Sequence, residues 1–268
     1  LKCHICGRRE KVPLKCPNCS SESLHFLGEG TEKIEDILQQ KIPNSKIGRM
    51  DRDIIVSTKE YEKMWSDFEN RKIDILVGTQ MIAKGYHNPQ VTLAGIVSAD
   101  FILSLPDFRS SERTFQLITQ TAGRAGRGEL KGKVIIQSFF PEHYAVISAS
   151  KQDYEQFYLG EIKYRKMAGY PPVMALGRIE VRDKKEEKSL QKAEQIRDFL
   201  KAKWNQNCRI LGPNPAPISR IENKYRYQIF VKTTTRNRLH TIFEDFINSD
   251  FSKEIGKTIF ADVDPATL

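Results

Sequence analysis

Residues 73–80 read IDILVGTQ. Four large aliphatics fall within five positions, and the run then stops at Gly78, Thr79 and Gln80. So short and so apolar a run suits a strand buried on both faces, ending where the chain turns into a helix. VTLAGIVSAD at 91–100 has the same character, SKIGRMD at 45–51 is strand-like, and GKVIIQSF at 132–139 reads as a closing strand. Helical patterns lie between them. GTEKIEDILQQ at 30–40 sets Ile34, Ile37 and Leu38 on one face, and SERTFQLITQ at 111–120 reads as a helix. STKEYEKMWSDFEN at 57–70 opens with a capping box, Ser57 with Glu60, and spaces Tyr61, Met64, Trp65 and Phe68 helically. Alternating helices and buried strands predict an α/β domain with a parallel sheet covered by helices, over residues 28–150.

Two further regions flank it. Residues 1–27 are short, poor in apolar residues and rich in cysteine, and a segment of that kind needs a metal to fold. Residues 151–268 begin with a helical linker, DYEQFYLGEIKYRKM, that ends at GYPP. Then follow a strand (ALGRIEVRD), a helix (185–204), two strands (CRILG and KYRYQIFVKTT), a helix (RNRLHTIFEDFIN) and a strand (KTIFADVD). That order, βαββαβ, predicts a ferredoxin-like α+β domain.

The 268 residues carry a formal net charge of +9, which suits a polyanionic partner, nucleic acid first, although a solvated basic surface gives the same sum. At 39% hydrophobic and 29% charged residues, with no apolar run long enough to span a bilayer, a soluble cytoplasmic protein is expected. The chain opens on Leu1 without a signal-peptide pattern, so a processed or partial chain is expected. Four of the five cysteines, Cys3, Cys6, Cys16 and Cys19, form C-x2-C-x9-C-x2-C, the spacing of a structural tetrahedral zinc site. Cys208 opens an apolar run and reads as a small buried hydrophobe.

QLITQTAGRAGRGELKGK at 116–133 contains Q-x-x-G-R-x-G-R: Gln120, Gly123, Arg124, Gly126 and Arg127. Two glycines allow close backbone approach, and two guanidinium forks on one short segment suit bidentate phosphate contact. An arginine brought to a γ-phosphate stabilises the charge that develops in phosphoryl transfer. Upstream, Thr79, Gln80 and Lys84 follow a strand's carboxyl end, where ligands of α/β domains gather. No G-x-x-x-x-G-K-[ST] phosphate loop and no D-E-x-H box occur, and the GKT at 256–258 has Phe251 where the loop's first glycine would stand. Lys224, Tyr225, Arg226 and Tyr227 alternate charge with rings, a pattern for stacking on unpaired bases or for a strand with both tyrosines on a core face.

GTQMIAKGYHNPQVTL and QTAGRAGR resemble motifs V and VI of superfamily 2 helicases. The likeness is closer still to the primosomal protein N′ family of bacterial replication-restart helicases. It runs through CHICGRRE, CPNCSS, GEGTEKIEDIL, RMDRD, DFRSSERTFQLITQTAGRAGR, LGPNPAPISRIENKYRYQIFVK and DVDP. The resemblance implies a second RecA-like helicase lobe and an S10-like C-terminal DNA-binding domain. It also implies an ATP-dependent 3′-to-5′ translocase of abandoned forks that promotes primosome assembly. By it, Arg124 and Arg127 face the ATP γ-phosphate, Gln120 orients nucleotide or water, and Gly123 and Gly126 line the nucleotide. Thr79, Gln80 and Lys84 touch DNA or couple it to the nucleotide state, and a loop of Gly28, Gly30 and Thr31 meets a DNA phosphate at a helix N-terminus, although a plain N-cap explains Thr31 equally well.

The resemblance further implies that ATP and magnesium are bound mainly by another lobe, from the N-terminal half of the same protein. Branched and single-stranded DNA, single-stranded-DNA-binding protein and primosome components are the implied partners. In the family, four C-x2-C pairs hold two zincs in nested order. Cys3/Cys6 match the third pair and Cys16/Cys19 the fourth, so by the resemblance each is half of a different, incomplete site, or else the four thiolates share one zinc in a departure from the family. A non-catalytic DNA- or partner-binding scaffold, and an RNA helicase lobe, are the alternative readings.

Overall fold

The computed structural model describes residues 15, 20, 30–51, 54–55, 57–83, 88–126, 131–204, 206, 208–256 and 258–266. The cysteine-rich segment 1–27, with Cys3, Cys6, Cys16 and Cys19, lies outside them apart from Lys15 and Ser20. Backbone contacts divide the chain into two units that part at Gly160/Glu161, ten residues beyond the expected 150/151 boundary; Pro106–Phe108 belongs with the second unit.

The first unit runs α1 (Thr31–Lys41), β1 (Ile47–Met50), α2 (Thr58–Glu69), β2 (Ile75–Gly78), α3 (Gln80–Ala83), β3 (Leu93–Ile96), α4 (Asp100–Leu103), α5 (Ser110–Ala122), β4 (Lys133–Ile136) and α6 (Tyr144–Ser150), and α7 (Tyr154–Ala168) crosses the boundary. The capping box forms: Ser57 Oγ accepts from the Glu60 N–H, and the Glu60 carboxylate accepts from the Ser57 N–H. Tyr61, Met64 and Phe68 are half-buried beside buried Trp65, as their spacing predicts.

The strands pair in parallel, as expected, but among the described residues they form two separate ladders, β1 with β2 and β3 with β4. Burial on both faces does not hold for the second ladder. Ile96 and Ile136 turn toward Phe115, Ile118, Ala145 and Phe157, while Leu93 and Ile135 are exposed. The alternation is that of a strand packed on one face only.

The second unit realises the βαββαβ order. β5 (Ala175–Asp183), α8 (Glu186–Trp204), β6 (Arg209–Ile221), β7 (Lys224–Thr233), α9 (Arg236–Asn248), α10 (Asp250–Ile255) and β8 (Ile259–Val263) follow in sequence. The sheet order is β6-β7-β5-β8, antiparallel throughout. One face packs on the helices: Ile179, Val181, Ile229 and Val231 meet Ala193, Ile196 and Leu200 of α8 and Leu239, Ile242, Phe243 and Phe246 of α9. Gly177 makes room there, because a Cβ at that position would lie 2.4 Å from the Phe243 ring. Cys208 packs at the margin of this core, and burial raises its thiol pKa.

Polar groups on the other sheet face are tightly paired. Glu180, 2% exposed, accepts from Arg226 (2.9 and 2.8 Å), Gln228 (2.9 Å) and Arg182 (2.7 Å). Burial alone would raise its pKa, but the bonds from Arg226, Gln228 and Arg182 overcome it and hold the carboxyl at about 2. Farther along β7, Lys232 donates to the Ala168 carbonyl and lies 3.6 Å over the Tyr170 ring, which stacks on Phe108. Burial, aided by the charge of Arg209, lowers Lys232 to about 8.

Candidate functional site

In the first unit, the carboxyl ends of β1 and β2 lie side by side, with Met50 in register with Gly78. The approach is tight: a Cβ on Gly78 would sit 2.3 Å from the Met50 carbonyl oxygen. Thr79 and Gln80, both exposed, leave from this end, and the Ile82 N–H returns to the Thr79 carbonyl. Asp51, which follows β1 and is 4% exposed, gathers the surrounding groups. It accepts from the Thr31 hydroxyl and the Ile54 N–H, and Arg49 lies 3.1 Å away. Thr31 is therefore bound to Asp51 and is not the N-cap of α1. That place belongs to Gly30, whose extended backbone brings no side-chain cap. Gly30, Thr31, Thr79 and Gln80 thus share one end of the ladder, where open α/β sheets collect ligands. Sequence reasoning missed Asp51, whose buried role depends on a residue twenty positions away. Gly28 and Lys84 lie outside the described residues.

The arginine-rich segment hangs from α5, which packs against α3. α5 buries Ser110, Thr114, Phe115 and Ile118 and leaves Gln120 exposed. Phe115 stacks on Phe157 at 4.3 Å, which fixes the rotation of the helix and hence the side from which Gln120 projects. Gly123 is the C-cap in an ordinary right-handed conformation, so nothing in its backbone demands glycine. Arg124 follows at once, a cation at the negative end of the helix dipole.

Gly126 is different. Its φ of +77° lies in the left-handed region, and its N–H bonds the Val91 carbonyl at 3.0 Å. A Cβ there would meet the Gly132 nitrogen at 2.5 Å, and a Cβ on Gly132 would meet the Gly126 nitrogen at 2.3 Å. The close approach expected of the motif's second glycine is made to Gly132, a residue the motif does not contain. Arg127 lies outside the described residues.

The loop after β4 is held by Asp100, 1% exposed, which accepts from the Ser138 hydroxyl and the Phe139 and Phe140 N–H groups. Burial works to raise its pKa; the Ser138 bond and the backbone donors prevail and lower it.

In the second unit, the expected row of alternating charges and rings is divided by the pleat. Tyr227, 7% exposed, joins the core and its hydroxyl donates to Glu186. Arg226 lies on the opposite face, in a two-bonded ion pair with Glu180 and donating to the Ile218 carbonyl. Arg226 and Tyr227 are thereby withdrawn from a solvent-facing role, because alternation sends rings and charges to opposite faces of one strand. Tyr225 is half-buried, with Arg220 5.1 Å over its ring, and Lys224 is exposed.

Residues 20–129 match the helicase conserved C-terminal domain, and residues 166–266 match the primosomal protein N C-terminal domain. Replication restart protein PriA of Bacillus subtilis is 44% identical over 255 residues, which is 95% of this chain and 32% of that protein. The chain belongs to the PriA family. PriA of Chlamydia pneumoniae is 40% identical over 87% of this chain and 31% of that protein, and PriA of Haemophilus influenzae is 34% identical over all of this chain and 37% of that protein. The chain spans about a third of the length of these PriA relatives. Each unit carries one of the family matches: the helicase match takes in α1 to α5, and the PriA C-terminal match takes in β5 to β8.

Proposed function

We propose that this chain supplies the second, RecA-like helicase lobe and the ferredoxin-like, S10-like DNA-handling domain of an ATP-dependent 3′-to-5′ DNA helicase. The complete protein would recognise stalled forks and promote primosome assembly. One observation carries the reading: the helicase C-terminal match extends through α5 and the QTAGRAGR segment at its end. In this reading Arg124 and Arg127 reach the γ-phosphate of ATP held, with magnesium, mainly by another lobe of the complete protein, and Gln120 orients nucleotide or water. Gly126, with its left-handed backbone, stands between the two arginines. Thr79, Gln80 and Lys84 couple DNA to the nucleotide state, and the open N-terminus of α1 at Gly30 receives a DNA phosphate.

Cys3, Cys6, Cys16 and Cys19 would hold structural zinc, a role supported by their spacing; metal analysis of the purified chain should find about one zinc per four thiolates. DNA, single-stranded-DNA-binding protein and other primosome components are the partners of this reading, in the cytoplasm. No described helix is long and apolar enough to cross a membrane.

The test is DNA-stimulated ATP hydrolysis by the complete protein. Arg127→Ala should lower turnover by about 10³-fold or more while DNA binding persists. Unchanged turnover in both Arg124→Ala and Arg127→Ala would favour a scaffold role, and preference for a matched RNA over DNA would favour an RNA helicase lobe.

A further inference from the structure

A hollow of about 320 Å³ opens at one end of the four-stranded sheet, lined by Arg182, Asp183, Lys184, Lys224, Thr258 and Phe260. Its walls come from three strands that converge because β5 pairs on both sides: Asp183 is in register with Tyr225 of β7, and Val181 with Ile259 of β8. The hollow's single carboxylate is already occupied. Asp183 accepts from Lys192 at 2.9 Å and from the Lys185 N–H at 3.1 Å.

The cations are less committed. Arg182 spends its Nε on Glu180, and its guanidinium lies 4.2 Å over the Phe260 ring. Lys184 and Lys224 are exposed and have no partner among the described residues. The Thr258 hydroxyl is buried and unpartnered among them, a cost that a bound oxygen would relieve. Phe260, 49% exposed on edge strand β8, offers a ring at the rim.

Donors thus converge on a space whose carboxylate acceptor is taken. A phosphodiester, which brings only acceptors, suits that set. An acidic peptide would also bring N–H groups that need acceptors. We infer that this hollow is a phosphate subsite for single-stranded DNA. Lys184, Lys224 and Arg182 take the phosphate oxygens, the Thr258 hydroxyl donates to one of them, and the adjoining base lies against Phe260. The inference rests on the proposal that the chain handles DNA, and it adds a site in the second unit, apart from the ladder end and the arginine segment of the first.

The test uses the 268-residue chain in two measurements. In the first, anisotropy of a labelled single-stranded oligonucleotide is followed across a salt series for the parent, for Lys184→Ala/Lys224→Ala and for a control, Lys163→Ala/Lys201→Ala. Losing two phosphate contacts should reduce the slope of log K against log salt by about 1.4 in the first variant and leave the control unchanged. Equal losses in both variants, or no loss in the first, overturn the subsite while DNA binding itself stands.

In the second measurement, a 5′-phosphorylated dinucleotide is titrated while the amide signals of Lys224, Thr258 and Phe260 are followed by NMR. Saturable shifts at all three support the subsite even if the chain binds no long DNA, an outcome that would sink the DNA proposal for this chain alone. Equal shifts with inorganic phosphate support the phosphate contacts and overturn the base contact. Absent shifts, or equal displacement by a hexaglutamate peptide, overturn the inference.

Discussion

The two units solve the same problem, covering a sheet with helices, to different degrees. In the second, one face of the sheet is sealed by α8 and α9, and the charges of the other face are paired around Glu180. In the first, two short parallel ladders are each served by few helices, and Leu93 and Ile135 of the second ladder remain in water. The groups proposed to act, Thr79, Gln80, Gln120 and Arg124, sit at helix and strand ends in that less enclosed unit. The contrast teaches that the groups proposed to meet the nucleotide lie at element ends of the less enclosed unit, while the denser core of the other fixes the sheet that carries the hollow.

The largest test of the comparison is Phe246→Ala. Phe246 is fully buried between α8, α9 and the sheet, and its truncation should cost about 3–5 kcal/mol. The chain has two tryptophans, Trp65 in the first unit and Trp204 in the second, so Trp65→Phe leaves a reporter of the second unit alone. Its denaturant midpoint should fall sharply, and an unchanged midpoint would break the idea that this core is where stability is concentrated.

Acid titration should give a somewhat smaller effect. Glu180 is held at about 2, against 4.5 for an ordinary glutamate, so its contribution is full above pH 4.5 and is lost as pH falls through 2. The loss should be roughly 3 kcal/mol across that window. Glu180→Gln should flatten that part of the stability curve, and a variant curve parallel to the parent's would remove Glu180 as the cause.

Within the first unit, Ser57→Ala removes the capping box and should cost about 1 kcal/mol, followed by the fluorescence of Trp65 in the same helix with Trp204→Phe as background. Leu93→Ala should shift stability by less than about 0.5 kcal/mol, since this leucine is 57% exposed. A loss as large as that of Phe246→Ala would show that the second ladder is covered on both faces after all.

The elements themselves were legible, because their periods are local. IDILVGTQ gave β2 and the turn into α3, Ser57 and Glu60 marked the start of α2, and the βαββαβ order of the second unit read directly from alternating patterns. Less legible was anything that joins distant positions. The apolar runs at 91–100 and 132–139 say that a strand forms, but not how many of its faces will be covered. Arg226 looks like a surface cation until Glu180, 46 residues earlier, is found beside it. Gly126 fits a motif, yet its tightest neighbour, Gly132, is outside it. The alternation of Tyr225 and Tyr227 was in the sequence and already placed them on one face; the structure decides that this face is the core side.

Glu180 also bears on how the second sheet finds its alignment. It is in direct register with Gln228, with Arg226 two residues along the same strand. If β7 slipped by one residue against β5, those donors would turn to the face lined by Ile196, Leu239 and Phe246, and a carboxylate would be stranded without partners. A slip of two residues would keep the apolar residues of β5 and β7 on the core face, whereas the polar trio of Glu180, Arg226 and Gln228 matches in one alignment only. Besides its contribution to stability, the cluster thereby serves as an error check during folding, because mispaired chains forfeit every one of its bonds together.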